Sequence, residues 1–195
     1  MKISSEQVKQ LRAQTGASIM DCNQALQESL GDFVKALEIL KKKGALKAEK
    51  KAARTAEQGI IEAYVHSNGK IGVLVDLRCE TDFVARNEEF KKLAHELALH
   101  VAAMNPSYVS RQDVPADILE HERKLYLDEV AGLGKPEKIM NEIVEGKLGK
   151  HLEAICFLEQ PYVKNPDETI DALIRSYIAK LGENIRVARF IRYEI

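Results

Sequence analysis

An alternating pattern between residues 59 and 79 restricts the fold more than any other part of the sequence. The run GIIEAYVH precedes the segment SNGK, and IGVLVDLRC follows it, so apolar side chains recur at every second position on both sides. Asn68-Gly69 between two such runs predicts a β-hairpin, because these residue types readily adopt the positive φ angles of a type I′ turn. A turn at these two residues pairs His66 with Ile71 and puts His66 near the hairpin tip.

Both faces of this hairpin carry apolar side chains. Ile61, Ala63, Val65 and Leu74 share one face, and Val73 lies on the other. A sheet face of this kind is normally packed against another layer of structure. We therefore expect both faces of the hairpin to be covered.

The rest of the C-terminal part predicts helices and one more strand. The β-branched and aromatic residues 186–195 predict a third strand. Helical spacing predicts a helix of about 17 residues capped by Asn87 and a helix starting near Pro115. It also predicts a helix with Pro136 at its first position and a helix from Thr169 to Leu181, with an irregular segment at 158–168 before the last one. The expected fold class is α+β, with a small antiparallel sheet, formed by the hairpin and the C-terminal strand, backed by helices.

The first 44 residues predict three short helices. Ser4 and Gln7 fit a capping box. Asp32 fits the start of the third helix, and Gly16 and Gly44 fit the ends of the first and third. A core of three short helices is typical of a binding module. The expected domains are a three-helix module at 1–42, a basic helical linker at 43–57 and the α+β core at 58–195.

Seven lysine and arginine residues lie between Lys41 and Arg54. Such a run is either a nucleic-acid-binding patch or the solvated face of a helical linker. It contains no aromatic residue, and the whole chain balances 29 basic against 30 acidic residues, so no overall positive field attracts nucleic acid. We favour the linker, and a nucleic-acid- or ribosome-binding protein using this segment is the alternative function.

Cysteine usage and apolar runs indicate a cytoplasmic protein. The sequence has an odd number of cysteines, Cys22, Cys79 and Cys156, which lie far apart and show no metal-binding spacing. This pattern is typical of reduced thiols. The N-terminal residues MKISSEQVKQ lack the apolar stretch of a signal peptide, and no run reaches the roughly 18 apolar residues of a membrane span. We expect no membrane association.

The sequence does not match the motifs for covalent catalysis or cofactor binding that we compared with it. His95 and His100 are five residues apart, a step that turns the second ring roughly 140° around a helix from the first, so a shared metal is not expected. Residues 132–136 (GLGKP) do not complete a phosphate loop, because the required first glycine falls on Glu129 and Pro136 replaces the Ser or Thr. Ser176 and Lys180 have the wrong spacing for a nucleophile pair. We expect a protein that is not an enzyme and needs no cofactor.

Several separate stretches resemble one known family. TGASIMDCNQAL is similar to the N-terminal signature of bacterial elongation factor Ts, and ETDFVARN resembles the family's second signature. GKPEKI, QPYVK and KLGENIRVARF are similar to the family's C-terminal half. The resemblance covers essentially the whole chain in order. Because the chain holds one copy of the core, it resembles the short form of the family.

The resemblance implies a guanine-nucleotide exchange factor for the translational GTPase elongation factor Tu. The first module is then a ubiquitin-associated-like (UBA-like) three-helix bundle that packs on a helix of the GTPase domain. By position, Leu11, Ile19 and Met20 resemble its contact residues, although the family often has a second methionine at the position of Ile19. A place in the three-helix core is the alternative for Leu11 and also for Met20, although the flexible thioether of Met20 suits a contact surface.

The same resemblance assigns a role to the segment Thr81, Asp82, Phe83 and Val84. In the family this segment intrudes between helices of the GTPase domain and disturbs its magnesium site. From the residues alone, Phe83 would be a core side chain, and the resemblance makes it a contact instead. His66 resembles a family histidine that touches the GTPase near its nucleotide site, with an ordinary surface histidine as the alternative.

A single core with two apolar sheet faces, together with the resemblance to the short form, implies a homodimer. The complex with the GTPase is then two-to-two, with Phe83 and His66 near one GTPase supplied by different protomers. The C-terminal stretch departs from the family at Ala188, where arginine is common, so no charge contact is expected at that position.

Overall fold

The computed structural model describes residues 3–132 and 136–195. In those residues the helices are α1 (Ser5–Thr15), α2 (Ile19–Glu28), α3 (Phe33–Ala52), α4 (Asp82–Ala85), α5 (Glu88–Met104), α6 (Ala116–Ala131), α7 (Glu137–Ile155) and α8 (Ile170–Leu181). The strands are β1 (Gln58–Val65), β2 (Ile71–Cys79), β3 (Pro161–Tyr162), β4 (Asn165–Thr169) and β5 (Arg186–Glu194). Short 3-10 turns occur at Arg111–Asp113 and Phe157–Glu159.

The main sheet has three strands in the order β1-β2-β5, and the fold class is α+β as predicted. The backbone N–H of Ile195 donates to the carbonyl of Lys70, 3.1 Å away, which pairs the end of β5 with the start of β2. β5 therefore runs antiparallel to the central strand. The predicted C-terminal strand is confirmed.

The hairpin turn differs from the type I′ prediction. His66 donates its N–H to Ile71 at 2.9 Å, so the predicted pairing is confirmed. The carbonyl of His66 also accepts from Gly69 N–H at 2.8 Å, and Gly69 has a φ of 68°, whereas Asn68 does not have a positive φ. The Asn68 side chain instead accepts from the N–H of Lys70 at 2.9 Å. This Asx-type contact favours a turn through residues 67 and 68 followed by a left-handed glycine.

The chain forms two compact units, and several elements pass from one to the other. The first unit comprises Met1–Glu62, Val75–Glu96 and Ala172–Ala188, and the second comprises Ala63–Leu74, Leu97–Asp171 and Arg189–Ile195. The predicted boundaries at residues 42 and 57 stay a prediction.

The N-terminal part of the first unit is the predicted three-helix bundle. Ser4 and Gln7 form the predicted capping box, and Gly16 ends α1 with a φ of 66°. Asp32 begins α3 by accepting the N–H of Lys35 at 3.1 Å. The fully or nearly fully buried core consists of Leu11, Cys22, Ala25, Leu26, Ala36 and Leu40.

The prediction that the third helix ends at Gly44 is wrong, because α3 continues to Ala52. The residues after Gly44 are mostly alanine, lysine and glutamate, which are strong helix formers. A Cβ atom at Gly44 would lie 3.4 Å from the Cβ of Ala179, so α3 approaches α8 closely at this point. Gly44 therefore lies inside α3, at about contact distance from α8.

The second unit contains the α6–α7 pair and a small ribbon. Val114, Leu148, Leu152 and Cys156 form its buried cluster. The segment 158–168, expected to be irregular, contains β3 and all but the last residue of β4, and these strands pair antiparallel with Pro161 opposite Thr169. The sequence pattern misses this ribbon because both strands are very short and prolines lie in both.

The remaining helix predictions agree with the structure to within one residue. Asn87 caps the 17-residue helix α5 by accepting the N–H of Glu89 at 2.8 Å, and Asn105 ends it with a φ of 47°. Pro136 is the N-cap of α7 rather than its first residue. Residues 133–135, which carry the phosphate-loop comparison and part of GKPEKI, lie outside the described residues. Within the described ranges, none of the helices is long and apolar enough to cross a membrane.

A buried polar network organises the irregular chain of the second unit around His100. Gln160 donates through its amide nitrogen to the carbonyls of Ala154 and Met104, at 2.5 and 3.4 Å, so its amide oxygen faces His100 Nε2 at 3.0 Å and must accept. The N–H of Val163 donates to His100 Nδ1 at 3.2 Å. His100 is therefore the neutral Nε2–H tautomer. Burial lowers its pKa, against the smaller opposite effect of the bond to Gln160.

We predict that acid destabilises the protein through His100. Its pKa is lower in the folded than in the unfolded state, so folding is favoured above the unfolded value of about 6.5 and loses stability as the pH falls below it. The slope contributed is at most about 1.4 kcal/mol per pH unit. Urea unfolding at several pH values between 7 and 5 measures this slope of the free energy of unfolding with pH.

His100→Leu should be less stable at neutral pH but should lose this slope, because nothing remains there to protonate. The control is His121→Leu, which removes an exposed histidine and should keep the slope. An unchanged slope in His100→Leu would contradict the assignment.

Candidate partner-contact site

The strand-to-helix corner after β2 holds a large aromatic ring in solvent. Thr81, with φ at −125°, begins the one-turn helix α4, and its hydroxyl accepts the N–H of Val84 at 3.4 Å. Phe83 is 81% exposed. This exposure excludes the core position that the residues alone suggested for Phe83.

The other side chains of the corner are less exposed than this ring. Asp82 and Val84 are both half-buried. Asp82 pairs with Arg86 one turn later at 2.8 Å, and such a surface pair contributes little to stability. The exposed apolar surface of the corner is therefore mainly the ring of Phe83.

Glu183, which the sequence analysis did not single out, holds the base of this corner. Its carboxylate accepts the N–H groups of Glu80 and Thr81 at 3.1 and 3.0 Å, and the hydroxyl of Thr81 at 2.6 Å. Glu80 in turn accepts the N–H of Asn184 at 2.6 Å. Glu183 lies in the stretch KLGENIRVARF that resembles the family, but within that stretch only the polar pair Glu183-Asn184 after the glycine that ends α8 marks its position.

Cys79 adds a further hydrogen bond under the corner. Its thiol donates to the carbonyl of Thr81 at 3.2 Å. Burial, followed by the negative charge of Glu183, raises the pKa of Cys79 to about 11. The thiol therefore stays protonated at neutral pH and can act as this donor.

The three predicted contact residues of the N-terminal module differ in how much of each side chain is exposed. Ile19 and Met20 lie in the first turn of α2 and are 58% and 83% exposed. Ser18 fixes this turn by accepting the N–H of Asp21 at 3.0 Å. Leu11 is fully buried in the three-helix core, in agreement with the alternative that the sequence left open. Of the three predicted contact residues, Ile19 and Met20 are therefore the exposed ones.

His66 is exposed beside the hairpin turn in the second unit, whereas the other predicted site residues belong to the first. The hydroxyl of Tyr64 lies 3.0 Å from His66 Nδ1. Nδ1 is engaged by this contact, and Nε2 is the other ring nitrogen. His66 can therefore offer a hydrogen-bonding group to a partner.

The basic segment between Lys41 and Arg54 is largely engaged within the first unit. Lys43 pairs with Glu28 at 3.0 Å and Lys47 with Asp21 at 2.9 Å. Lys51 donates to the carbonyl of Gly182, and Arg54 lies 3.6 Å from Glu80. These contacts support the linker interpretation over a free phosphate-binding patch.

The two histidines of α5 have separate partners. His95 Nδ1 lies 3.0 Å from Glu62 Oε1, while His100 belongs to the buried network with Gln160. In the described part of the chain, no three His, Cys, Asp or Glu side chains lie where they could hold a metal ion together.

Comparisons with known proteins identify the family. A family model described as Elongation factor TS matches residues 3–195. Elongation factor Ts of Thermotoga petrophila is 56% identical over 195 residues, covering 100% of this chain and 97% of the relative. The proteins of that name from Fervidobacterium nodosum and Carboxydothermus hydrogenoformans are 51% and 49% identical, covering 100% and 99% of this chain and 99% and 89% of the relatives.

An α+β fold with exposed apolar side chains on ordered turns is typical of a protein that contacts another protein. With the family match over nearly its whole length, the chain belongs to the elongation factor Ts family of translation elongation factors.

We predict stability effects of very different size for two apolar residues of the N-terminal module. Leu11→Ala should lower the free energy of unfolding by about 2–5 kcal/mol, because it leaves a cavity in the core. Met20→Ala should change it by less than about 0.5 kcal/mol, because that side chain contributes to the surface. Urea unfolding of both variants measures the difference, and equal losses would contradict the assignment.

Proposed function

We propose that this protein is a guanine-nucleotide exchange factor for elongation factor Tu, without covalent chemistry of its own. The observation that carries the proposal is Phe83, a ring 81% exposed on a one-turn helix whose first residues are held by hydrogen bonds. The segment Thr81, Asp82, Phe83 and Val84 would enter the GTPase and disturb its magnesium site. Because translation takes place in the cytoplasm, we expect the protein to act there.

The mechanism is coupling between two binding events. Loss of Mg²⁺ from the GTPase removes the main counter-charge to the phosphates of GDP, so GDP dissociates faster and GTP can bind. By linkage, GDP weakens binding of the factor by the same ratio. The factor must hold the release transition state more tightly than the GDP-bound state, by roughly 1.4 kcal/mol for each tenfold acceleration.

Two further surfaces take part in this proposal. Ile19 and Met20 would dock the N-terminal module on a helix of the GTPase, and the flexible thioether of Met20 suits an apolar contact. His66 would contact the GTPase near its nucleotide site. Leu11 would support the module from its core.

Release of fluorescent GDP from elongation factor Tu tests the central role of Phe83. The intact protein should accelerate release, and Phe83→Ala should lower the maximal rate about 30-fold or more, because a buried aromatic anchor contributes about 2 kcal/mol or more. Leu46→Ala is the matched control, since Leu46 is also an exposed apolar side chain of the first unit. It should leave release unchanged.

An intact protein that does not accelerate release would contradict the exchange function. Equal losses in Phe83→Ala and Leu46→Ala would contradict the special role of Phe83. The alternative of a nucleic-acid- or ribosome-binding protein predicts binding that weakens steeply with salt. The engaged lysines of residues 41–54 count against it.

We also propose a homodimer formed by the uncovered face of the sheet. The exposure of the side chains alternates along β1. Val65 on β1 is 69% exposed, and Tyr193 on β5 is 67% exposed. On the opposite face, Phe190 lies 5.6 Å from Phe157 between ring centroids, and Arg192 donates to the carbonyl of Ala102 in α5 at 3.2 Å. One face is therefore packed and the other carries exposed apolar side chains, Ile61, Val65, Leu74, Ile191 and Tyr193 among them.

A second copy of the chain would cover this face and give a two-to-two complex with the GTPase. Sedimentation of the intact protein should give twice the mass of one chain, and Val65→Asp should shift it toward the monomer, because a buried unpaired charge is costly. Val34→Asp is the control, since Val34 is 66% exposed on α3 away from the sheet. A monomeric intact protein with full exchange activity would contradict the dimer.

A further inference from the structure

The helix that carries Phe83 cannot be stable by itself. α4 has four residues, Asp82–Ala85. The first turn of a helix fixes several backbone angles for one hydrogen bond, so isolated short helices are unfavourable in water. The conformation of this turn must therefore depend on contacts from outside it.

Those contacts converge on Thr81, the residue before the turn. Its N–H and hydroxyl donate to the two carboxylate oxygens of Glu183 at 3.0 and 2.6 Å. Its carbonyl accepts from the thiol of Cys79 at 3.2 Å. Each polar group of Thr81 therefore has a partner outside the turn, and Glu183 supplies two of these three outside contacts.

The acceptor carboxylate is itself fixed within the first unit. Its neighbour Asn184 donates its backbone N–H to Glu80 at 2.6 Å and its side-chain amide to the carbonyl of Arg54 at 2.7 Å. Asn184 is 5% exposed. The loop before β5 is thus anchored to the end of α3, and Glu183 connects that anchor to the turn of Phe83.

We propose that Glu183 is a positioning residue for nucleotide exchange, which holds the Phe83 turn in its contact conformation before the GTPase binds. This inference rests on the proposed exchange function. A turn that is already ordered avoids the entropy loss of ordering at the contact. Glu183 acts through Phe83 and needs no contact with the GTPase.

Exchange kinetics distinguish this role from a general loss of stability. Glu183→Ala should lower the maximal rate of GDP release about tenfold and leave the half-saturating concentration nearly unchanged, because docking through Ile19 and Met20 is intact. In a Phe83→Ala background, Glu183→Ala should have little further effect. Additive losses would overturn the proposal, since residues acting through one another are expected to couple.

Two more variants separate hydrogen bonding from other effects at this position. Glu183→Gln keeps an oxygen for the backbone N–H groups and an amide for the Thr81 hydroxyl, so it should restore most of the rate. Glu89→Ala removes a different carboxylate of the same unit, which pairs with Lys180 at 2.7 Å. It should leave the rate unchanged, and a rate loss equal to that of Glu183→Ala would overturn the proposal.

A measurement on the free protein does not depend on the proposed function. The sequence contains no tryptophan, so Phe83→Trp introduces a single indole in the turn. Its fluorescence anisotropy should decay with a larger fast component when Glu183→Ala is added, and Glu183→Gln should largely prevent this change. An unchanged decay overturns the positioning role, whereas absence of exchange by the intact protein overturns the proposed function alone.

Discussion

Two reciprocal carboxylate contacts join the point where the chain leaves β2 to the point where it enters β5. Glu183 accepts N–H groups of Glu80 and Thr81, and Glu80 accepts the N–H of Asn184. Because β5 pairs antiparallel with the central strand, its first residues must lie beside the last residues of β2. One set of hydrogen bonds therefore fixes the entry of the third strand and the corner that carries Phe83.

Elements with strong local periodicity could be predicted from the sequence. The alternation around residues 68–69 predicts the hairpin and the pairing of His66 with Ile71, and the apolar spacing after Asn87 predicts α5. The predicted turn type is wrong because the side chain of Asn68 accepts a hydrogen bond from the N–H of Lys70, which favours a different turn. The predicted end of the third helix is wrong because the residues after Gly44 are strong helix formers, so one glycine does not end α3.

The candidate site could be predicted from local sequence patterns even less well than the fold. The stretch ETDFVARN marks the corner, but its residue types do not say whether Phe83 is buried or exposed. The partner that holds the corner is about a hundred residues away, and a lone glutamate after a helix has no distinctive pattern. Likewise, His100 and Gln160 are ordinary residues in the sequence, yet together they organise the irregular chain of the second unit.

The exposure of Phe83 and the order of its turn belong to one physical argument. Burying a phenylalanine side chain is worth roughly 1.5–3 kcal/mol, and this ring remains 81% exposed, so most of that free energy is not used in folding. A ring on a disordered segment would lose much of it again to the entropy of ordering on contact. The hydrogen bonds that Thr81 donates to Glu183 and accepts from Cys79 are made before any partner arrives. The free energy of burying Phe83 is therefore available to a contact because the fold has already ordered the backbone beneath it.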